Sequence, residues 1–277
     1  MNRIYLTQAD DPRLAPYRNL RERTLRGEMI FLAEGDLVVE RLLVSRYFVE
    51  SALVAESAFE RVRPVLEEKG RADLPVFLVP DALVNMVAGF PFHQGVMAVG
   101  RREAVWELES LCPVEEPSRQ RNPLRRVLAV VPDATKPENI GTVFRNCAAL
   151  GADGVLLGPQ ACDPLSRRGL RVSMGGALQI PWLKTDDLER DLCRLKHDFH
   201  YRIYGTILSD SATELMNLTW SPRCAICFGN EYDGLQPEVL RLCDEEITIP
   251  MACGVDSLNL GVSAGIFLYE ACRRGHS

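Results

Sequence analysis

No apolar run in the 277 residues approaches the ~20 consecutive residues that span a bilayer, so the sequence predicts no membrane-spanning helix. Residues 1–10 also lack the apolar core of a signal peptide. The nine cysteines are odd in number and scattered, which is typical of reduced thiols rather than of a disulfide framework. We therefore expect a cytoplasmic protein.

Two phosphate-binding fingerprints are missing: a Gly-x-Gly-x-x-Gly motif and a Gly-Lys-Ser/Thr loop. A nicotinamide-dependent α/β enzyme therefore has little support. The net charge of −6 argues against a uniformly basic nucleic-acid binder, but local patches are what phosphate contacts need. Arginines cluster in three places, 13–26, 119–126 and 167–171. Such clusters are often solvated faces, but three of them leave binding to RNA as an open alternative.

The length allows two domains of ordinary size. Residues 1–106 read as a small α/β unit. A stretch with three prolines and many charges follows at 107–123, as is typical of a linker. Residues 124–277 alternate strand and helix patterns, including one continuous helix predicted over 167–178. That alternation predicts a parallel sheet covered on both faces.

The most informative segment runs from Pro137 to Asn146, directly after an apolar strand pattern at 127–131. We expect Asn139 to cap the helix, Gly141 to allow a close approach, and Arg145 to lie on the second turn. These groups would stand where a parallel strand meets its helix, which is where ligands bind in α/β folds. The same pattern also suits an ordinary capped helix with a solvated arginine.

Two more glycine-bearing turns follow predicted strands, at 228–234 and 250–259. We expect these strands and the one before Pro137 to lie side by side, so that backbone groups of three loops hold a polar small molecule. A metal site is not predicted. Cys224 and Cys227 fall on opposite faces of a strand, and no second pair completes a zinc site.

At this point a resemblance becomes specific. The segments 137–146, 226–235 and 247–270 match the three motifs of the SpoU/TrmH family of RNA 2′-O-ribose methyltransferases. The stretch 163–175 before Pro181-Trp182 is also similar to that family. Residues 31–35 and 93–99 resemble the ribosomal-protein-like domain that is often fused to these enzymes.

The resemblance implies a fold of the α/β class: a trefoil-knotted parallel-sheet methyltransferase domain with a smaller N-terminal α/β substrate-binding domain. It implies S-adenosylmethionine as cofactor, tRNA or rRNA as partner, and a homodimer in which Arg145 reaches the cofactor of the other subunit. The implied cofactor contacts are Ile207, Phe228, Gly229, Asn230, Ile249, Met251 and Leu258. The implied catalytic set is Asn139, Arg145, Glu231, Ser257 and Asn259.

The implied reaction is methyl transfer from a sulfonium to a ribose 2′-hydroxyl. Arg145 is commonly assigned as the base in this family, but an arginine is neutral about once in a million molecules at pH 7, a cost of roughly 8 kcal/mol. We favour a role in positioning the phosphate and stabilising the developing alkoxide. Gly261 departs from the family pattern and reflects either close packing or cofactor contact. The rival from another class is a catalytically silent RNA-binding protein with the same fold.

Overall fold

The computed structural model describes residues 1–18, 29–102, 106–112, 125–230, 232–252 and 257–273. The chain divides into two compact units, Met1–Val105 with Leu165–Gln179, and Trp106–Pro164 with Ile180–Ser277. The domain limits expected from the sequence stay a prediction, because residues 113–123 of the expected linker lie outside the described ranges. In the described ranges, no helix is long and apolar enough to cross a membrane.

The first unit contains a five-stranded mixed sheet in the order β1-β4-β3-β5-β2. Its central strands are apolar runs that bury nearly every side chain, which is why they occupy the middle of the sheet. The strands are β1 (Asn2–Tyr5), β2 (Ile30–Glu34), β3 (Val49–Ala55), β4 (Pro75–Val79) and β5 (Val96–Arg101); the helices are α1 (Asp36–Leu43), α2 (Glu56–Lys69) and α3 (Asp81–Ala88).

The remaining elements follow in chain order. The helices are α4 (Leu108–Leu111), α5 (Pro137–Leu150), α6 (Arg167–Val172), α7 (Leu188–His197), α8 (Pro237–Leu240) and α9 (Leu260–Cys272). The strands are β6 (Arg126–Val131), β7 (Gly154–Leu157), β8 (Trp182–Lys184), β9 (Arg202–Thr206), β10 (Thr213–Glu214), β11 (Arg223–Cys227) and β12 (Glu245–Thr248). They form a seven-stranded sheet in the order β10-β12-β9-β11-β6-β7-β8, and every neighbouring pair is parallel.

The sheet of the second unit is covered on both faces, which confirms the expectation from the strand–helix alternation. On one face, α4, α7 and α8 pack on alternate strand residues such as Leu128, Val130 and Ile203. On the other face α5 and α9 pack on each other, and α9 contacts β6. Each fully buried aliphatic side chain contributes roughly 1.5–3 kcal/mol, so this double layer fixes the ends of the strands where the loops begin.

Two expectations about this region are wrong. The helix expected over 167–178 is broken, because Met174 and Gly175 both have positive φ, at 53° and 77°. Only a short 3₁₀ turn continues it, at Gly176–Leu178. The three glycine-bearing turns also do not all follow adjacent strands. β6 neighbours β11, but β9 lies between β11 and β12.

The segment Leu165–Gln179 groups with the first unit although its neighbours in sequence belong to the second. The carboxylate of Glu34, which is 4% exposed, pairs with the Arg167 guanidinium. A charge buried to this degree needs a partner, so this ion pair is what makes the position of Glu34 tolerable. A second contact joins the Arg41 guanidinium to the carbonyl oxygen of Met174.

Candidate active site

A pocket of about 470 Å³ lies where three neighbouring strands, β12, β9 and β11, end. Parallel strands bring their carboxyl ends to one edge, so the loops that follow them meet there. Most of the residues expected to contact a cofactor line this pocket: Ile207, Gly229, Asn230, Ile249, Met251 and Leu258. Ser257, expected in the catalytic set, also lines it.

Phe228 supports the pocket without lining it. Its side chain is 1% exposed, and its ring centroid lies 6.2 Å from that of Phe267, which does line the pocket. The backbone N–H of Phe228 donates to the carbonyl oxygen of Val130 at 2.9 Å. The aromatic pair therefore anchors the start of the loop after β11 to the core.

The loop after β11 turns tightly around Asn230. The Oδ1 atom of Asn230 accepts from the backbone N–H groups of Tyr232 and Asp233, both at 2.8 Å. The backbones of Asn230 and Gly234 exchange two hydrogen bonds of 3.2 Å. Gly229 has no room for a side chain, since a Cβ there would lie 2.2 Å from the carbonyl carbon of Gly234. The described part of the loop is thus shaped by the Asn230 amide and two glycines, since Gly234 has a positive φ of 68°.

Sequence reasoning missed Asp133, which lies two residues after β6. Its Oδ2 atom accepts a hydrogen bond of 2.6 Å from Nδ2 of Asn230. An aspartate after a strand is common in turns, so its residue type alone carried no signal. Its partner could only be identified once β6 and β11 were known to be neighbours.

Helix α5 begins earlier than expected, and Asn139 is not its cap. The helix starts at Pro137, with Lys136 in the capping position and without a side-chain capping bond. Proline suits the first helical position because its fixed φ is already helical and its missing N–H costs nothing there. Asn139 therefore lies within the first turn, where its side chain is free to make a tertiary contact.

That contact is an amide pair between helices. The Oδ1 atom of Asn139, a residue 5% exposed, accepts from Nδ2 of Asn259 at 3.1 Å. The Nδ2 atom of Asn139 is buried and has no hydrogen-bond partner within the described residues. Asn259 is itself the cap of α9, with its Oδ1 accepting from the N–H of Gly261 at 2.9 Å. The structure thus brings two residues of the expected catalytic set into direct contact.

Two members of that set remain. Arg145 is exposed on α5 and is not among the described residues that line the pocket. Glu231 lies outside the described residues. The guanidinium of Arg145 is therefore open to an external anion.

Helices α5 and α9 approach closely through a glycine. A Cβ on Gly261 would lie 2.5 Å from Cγ2 of Thr142. One turn further along α5, Nδ2 of Asn146 donates to the carbonyl oxygen of Gly261 at 2.7 Å. Of the two explanations considered for Gly261, the structure shows the close packing.

Among the described residues that line the pocket, Asp233 carries a charge. The ammonium group of Lys136 lies 4.9 Å from the ring centroid of Tyr232, another lining residue. Cys224 and Cys227 are both buried, free thiols. No cluster of potential metal ligands occurs in the described part of the chain.

An all-parallel sheet with a pocket at the carboxyl ends of its strands defines the class of protein: an α/β enzyme domain with a small-molecule site. Comparison with known families identifies it further. The SpoU rRNA Methylase family model matches residues 126–269, more than half of the chain. The protein belongs to this family of RNA methyltransferases.

Individual relatives are also described as RNA methyltransferases. A protein of Mycobacterium bovis described as an uncharacterized tRNA/rRNA methyltransferase is 33% identical over 96% of this chain and 91% of its own length. The 23S rRNA (guanosine-2′-O-)-methyltransferase RlmB of Acinetobacter baylyi is 31% identical over 78% of this chain and 85% of its own length. The solved structure of an AdoMet-bound rRNA methyltransferase from Sinorhizobium meliloti has the same fold, with a TM-score of 0.78, 24% identity and 97% of each chain covered.

Proposed function

We propose that this enzyme transfers a methyl group from S-adenosylmethionine to a ribose 2′-hydroxyl of structured RNA, either tRNA or rRNA. The observation that carries the proposal is the pocket at the ends of β12, β9 and β11. The Asn139–Asn259 pair is next to it in sequence, because Asn259 directly follows Leu258 of the pocket lining. The Acinetobacter relative, named as a guanosine-2′-O-methyltransferase, supports the ribose hydroxyl as acceptor.

The pocket suits the cofactor in size and charge. Its volume of about 470 Å³ lies within the usual range for small-molecule sites. Ile207, Ile249, Met251 and Leu258 offer apolar side chains for the adenine, and the backbone at 228–230 offers polar groups for the ribose. The carboxylate of Asp233 complements the positive charge of a sulfonium and an ammonium group.

The reaction requires the hydroxyl oxygen, the methyl carbon and the sulfur to lie in line. We assign Arg145 to the RNA phosphate and to the negative charge that develops on the ribose oxygen. A guanidinium stays protonated at neutral pH, and its forked N–H groups match a phosphate in two places. Its exposed position on α5 supports contact with a macromolecular substrate.

The polar residues around the pocket order the reacting groups. The unpartnered Nδ2 of Asn139 is a donor available to a substrate oxygen once the site closes around RNA. Ser257 borders the pocket, and Asn259 holds both Asn139 and the start of α9. Glu231 completes the proposed set by its position in the second family motif.

We also propose a homodimer, and a knotted crossover leading into α9. An exposed apolar stripe supports the dimer: Val262, Ile266 and Tyr269 are 51%, 37% and 57% exposed at helical spacing on α9. Light scattering should give twice the chain mass for the wild type, and Ile266→Glu should shift it towards the monomer. Val44→Glu, at a 60% exposed apolar position of the first unit, should leave the mass unchanged.

The deciding experiment measures transfer of a labelled methyl group to total RNA. We expect Arg145→Ala to abolish most transfer while binding of S-adenosylmethionine stays within about threefold. Arg145→Lys should stay well below wild type, because lysine supplies a point charge without the bidentate geometry. Near-normal activity of Arg145→Lys would contradict that role. RNA binding by the wild type without any transfer would instead favour a catalytically silent RNA-binding protein.

A further inference from the structure

A loop that borders the proposed cofactor pocket is joined by one side-chain pair to the loop that follows the neighbouring strand. Asp133 follows β6, and Asn230 follows β11, the neighbouring parallel strand. The two residues are 97 positions apart in sequence, yet Nδ2 of Asn230 lies 2.6 Å from Oδ2 of Asp133. Both residues are partly buried, so the hydrogen bond is partly shielded from water.

Both the nitrogen and the oxygen of the Asn230 side-chain amide form hydrogen bonds. Its NH₂ group donates to Asp133, while its Oδ1 accepts from the backbone N–H groups of Tyr232 and Asp233. An amide has one accepting end and one donating end, so these contacts require a single orientation of the side chain. If the amide turned over, its NH₂ group would face the two loop N–H donors.

An ionised carboxylate can only accept hydrogen bonds. Asp133 therefore selects the NH₂ end of Asn230 and directs Oδ1 towards the loop. The two residues held in this way, Tyr232 and Asp233, line the pocket, whereas Asp133 does not. Asp133 thus contacts the wall of the pocket through Asn230.

We propose that Asp133 is a positioning residue that holds Tyr232 and Asp233 in the places where they line the cofactor pocket, by fixing the orientation of the Asn230 amide. This inference rests on the proposed function, since it takes S-adenosylmethionine as the occupant of the pocket. Because the wall of the pocket is set before the ligand arrives, the binding step gains affinity that would otherwise be lost in ordering the loop.

The pair can be tested by substituting each of its two members separately. Asp133→Ala removes the acceptor, and Asn230→Asp places two carboxylates at a separation of 2.6 Å. We expect each change to weaken S-adenosylmethionine binding by about tenfold or more in isothermal titration calorimetry, since hydrogen bonds to charged groups are the stronger kind. Asp133→Asn keeps an acceptor oxygen, so its affinity should stay within about threefold of the wild type.

The double variant Asp133→Asn with Asn230→Asp is the critical case. It places the amide at position 133 and the carboxylate at 230, where one carboxylate can accept from the amide and from both loop N–H groups. We expect it to recover most of the affinity lost in Asn230→Asp alone. Recovery by the second substitution would show that positions 133 and 230 act on binding through their mutual hydrogen bond and not independently.

Steady-state kinetics give an independent readout. The variants with weakened binding should show a raised KM for S-adenosylmethionine, with kcat changed less than threefold at saturating cofactor. Asp198→Ala serves as the matched control, because Asp198 makes only an exposed ion pair with Arg194. That control should match the wild type in both assays.

The outcomes are distinct. Wild-type affinity in Asp133→Ala, or a double variant no better than Asn230→Asp, would overturn the inference. Should the wild type itself bind no S-adenosylmethionine, the proposed function would be at fault instead. If Asp133→Ala does not fold, the comparison of Asn230→Asp with the double variant still decides the matter.

Discussion

The contact between α5 and α9 allows a quantitative prediction for Gly261→Ala. The new Cβ would lie 2.5 Å from Cγ2 and 2.7 Å from Cβ of Thr142, so the helices must separate by about 1 Å to reach ordinary contact. Rotation of the Thr142 side chain moves Cγ2 but not Cβ, so it cannot relieve the clash between the new Cβ and the Cβ of Thr142. Overpacking of this kind costs about 1–3 kcal/mol.

Alanine also has a higher helix propensity than glycine, by about 1 kcal/mol in a helix interior and by less here, in the first turn of α9. The net cost is therefore about 1–2 kcal/mol. For a protein of this size, such a change lowers the thermal midpoint by about 2–8 °C. Circular dichroism during heating measures the shift without assuming two-state unfolding.

Gly265→Ala is the matched control, one turn further along the same helix. A Cβ there meets Nδ2 of Asn146 at 3.1 Å, so this amide, which donates to the Gly261 carbonyl, must shift by only a few tenths of an ångström, and the variant gains the full interior helix propensity. We expect its midpoint to stay closer to that of the wild type than the midpoint of Gly261→Ala. Equal midpoints for the two variants would refute the assignment of Gly261 to close packing.

Two further predictions concern single side chains. Burial raises the pKa of Cys162 to about 11, whereas the neighbouring Cys227 thiol lowers the pKa of Cys243. Both thiols are half-buried, so the difference in pKa should decide which of them reacts. Iodoacetamide at pH 8 should label Cys243 before Cys162, and Cys162 should react only as the pH nears 11. Peptide mass spectrometry can follow both reactions, and equal rates at pH 8 would contradict this expectation. Asn259→Ala should lower the thermal midpoint by a few degrees, since loss of a cap costs about 1 kcal/mol and Asn139 loses its partner. Asn259→Asp keeps an oxygen to cap α9 and should stay closer to the wild type; a midpoint as low as that of the alanine variant would argue against the cap.

The sequence predicts those parts of the fold whose signals are local. The apolar run at 127–131 followed by a helical pattern identified β6 and α5, and the alternation of such patterns identified the covered parallel sheet. Three of the described strands, β1, β8 and β10, lie at sheet edges and have four residues or fewer. Segments this short have too few residues to show a periodicity. Their pairing is decided by the neighbouring strand.

The misplaced cap of α5 has a similar cause. Asparagine is a favoured cap on local grounds, and Asn139 precedes an apolar helical pattern. Two competing factors outweigh that preference. Pro137 starts the helix two residues earlier, and Asn259 offers Asn139 a hydrogen bond from 120 positions away. Residue type therefore did not predict the contact that Asn139 makes.

The candidate site depends on such distant pairs. Three hydrogen bonds link the β6–α5 segment to later parts of the chain, between residues 97, 120 and 115 positions apart: Asp133–Asn230, Asn139–Asn259 and Asn146–Gly261. None of these can form until the crossovers that end in β11 and α9 are in place. Each of these hydrogen bonds closes a loop of about a hundred residues, so it depends on the order of the whole sheet and not on local sequence. Local patterns can therefore name the residues of this site, but only the sheet order can say which of them meet.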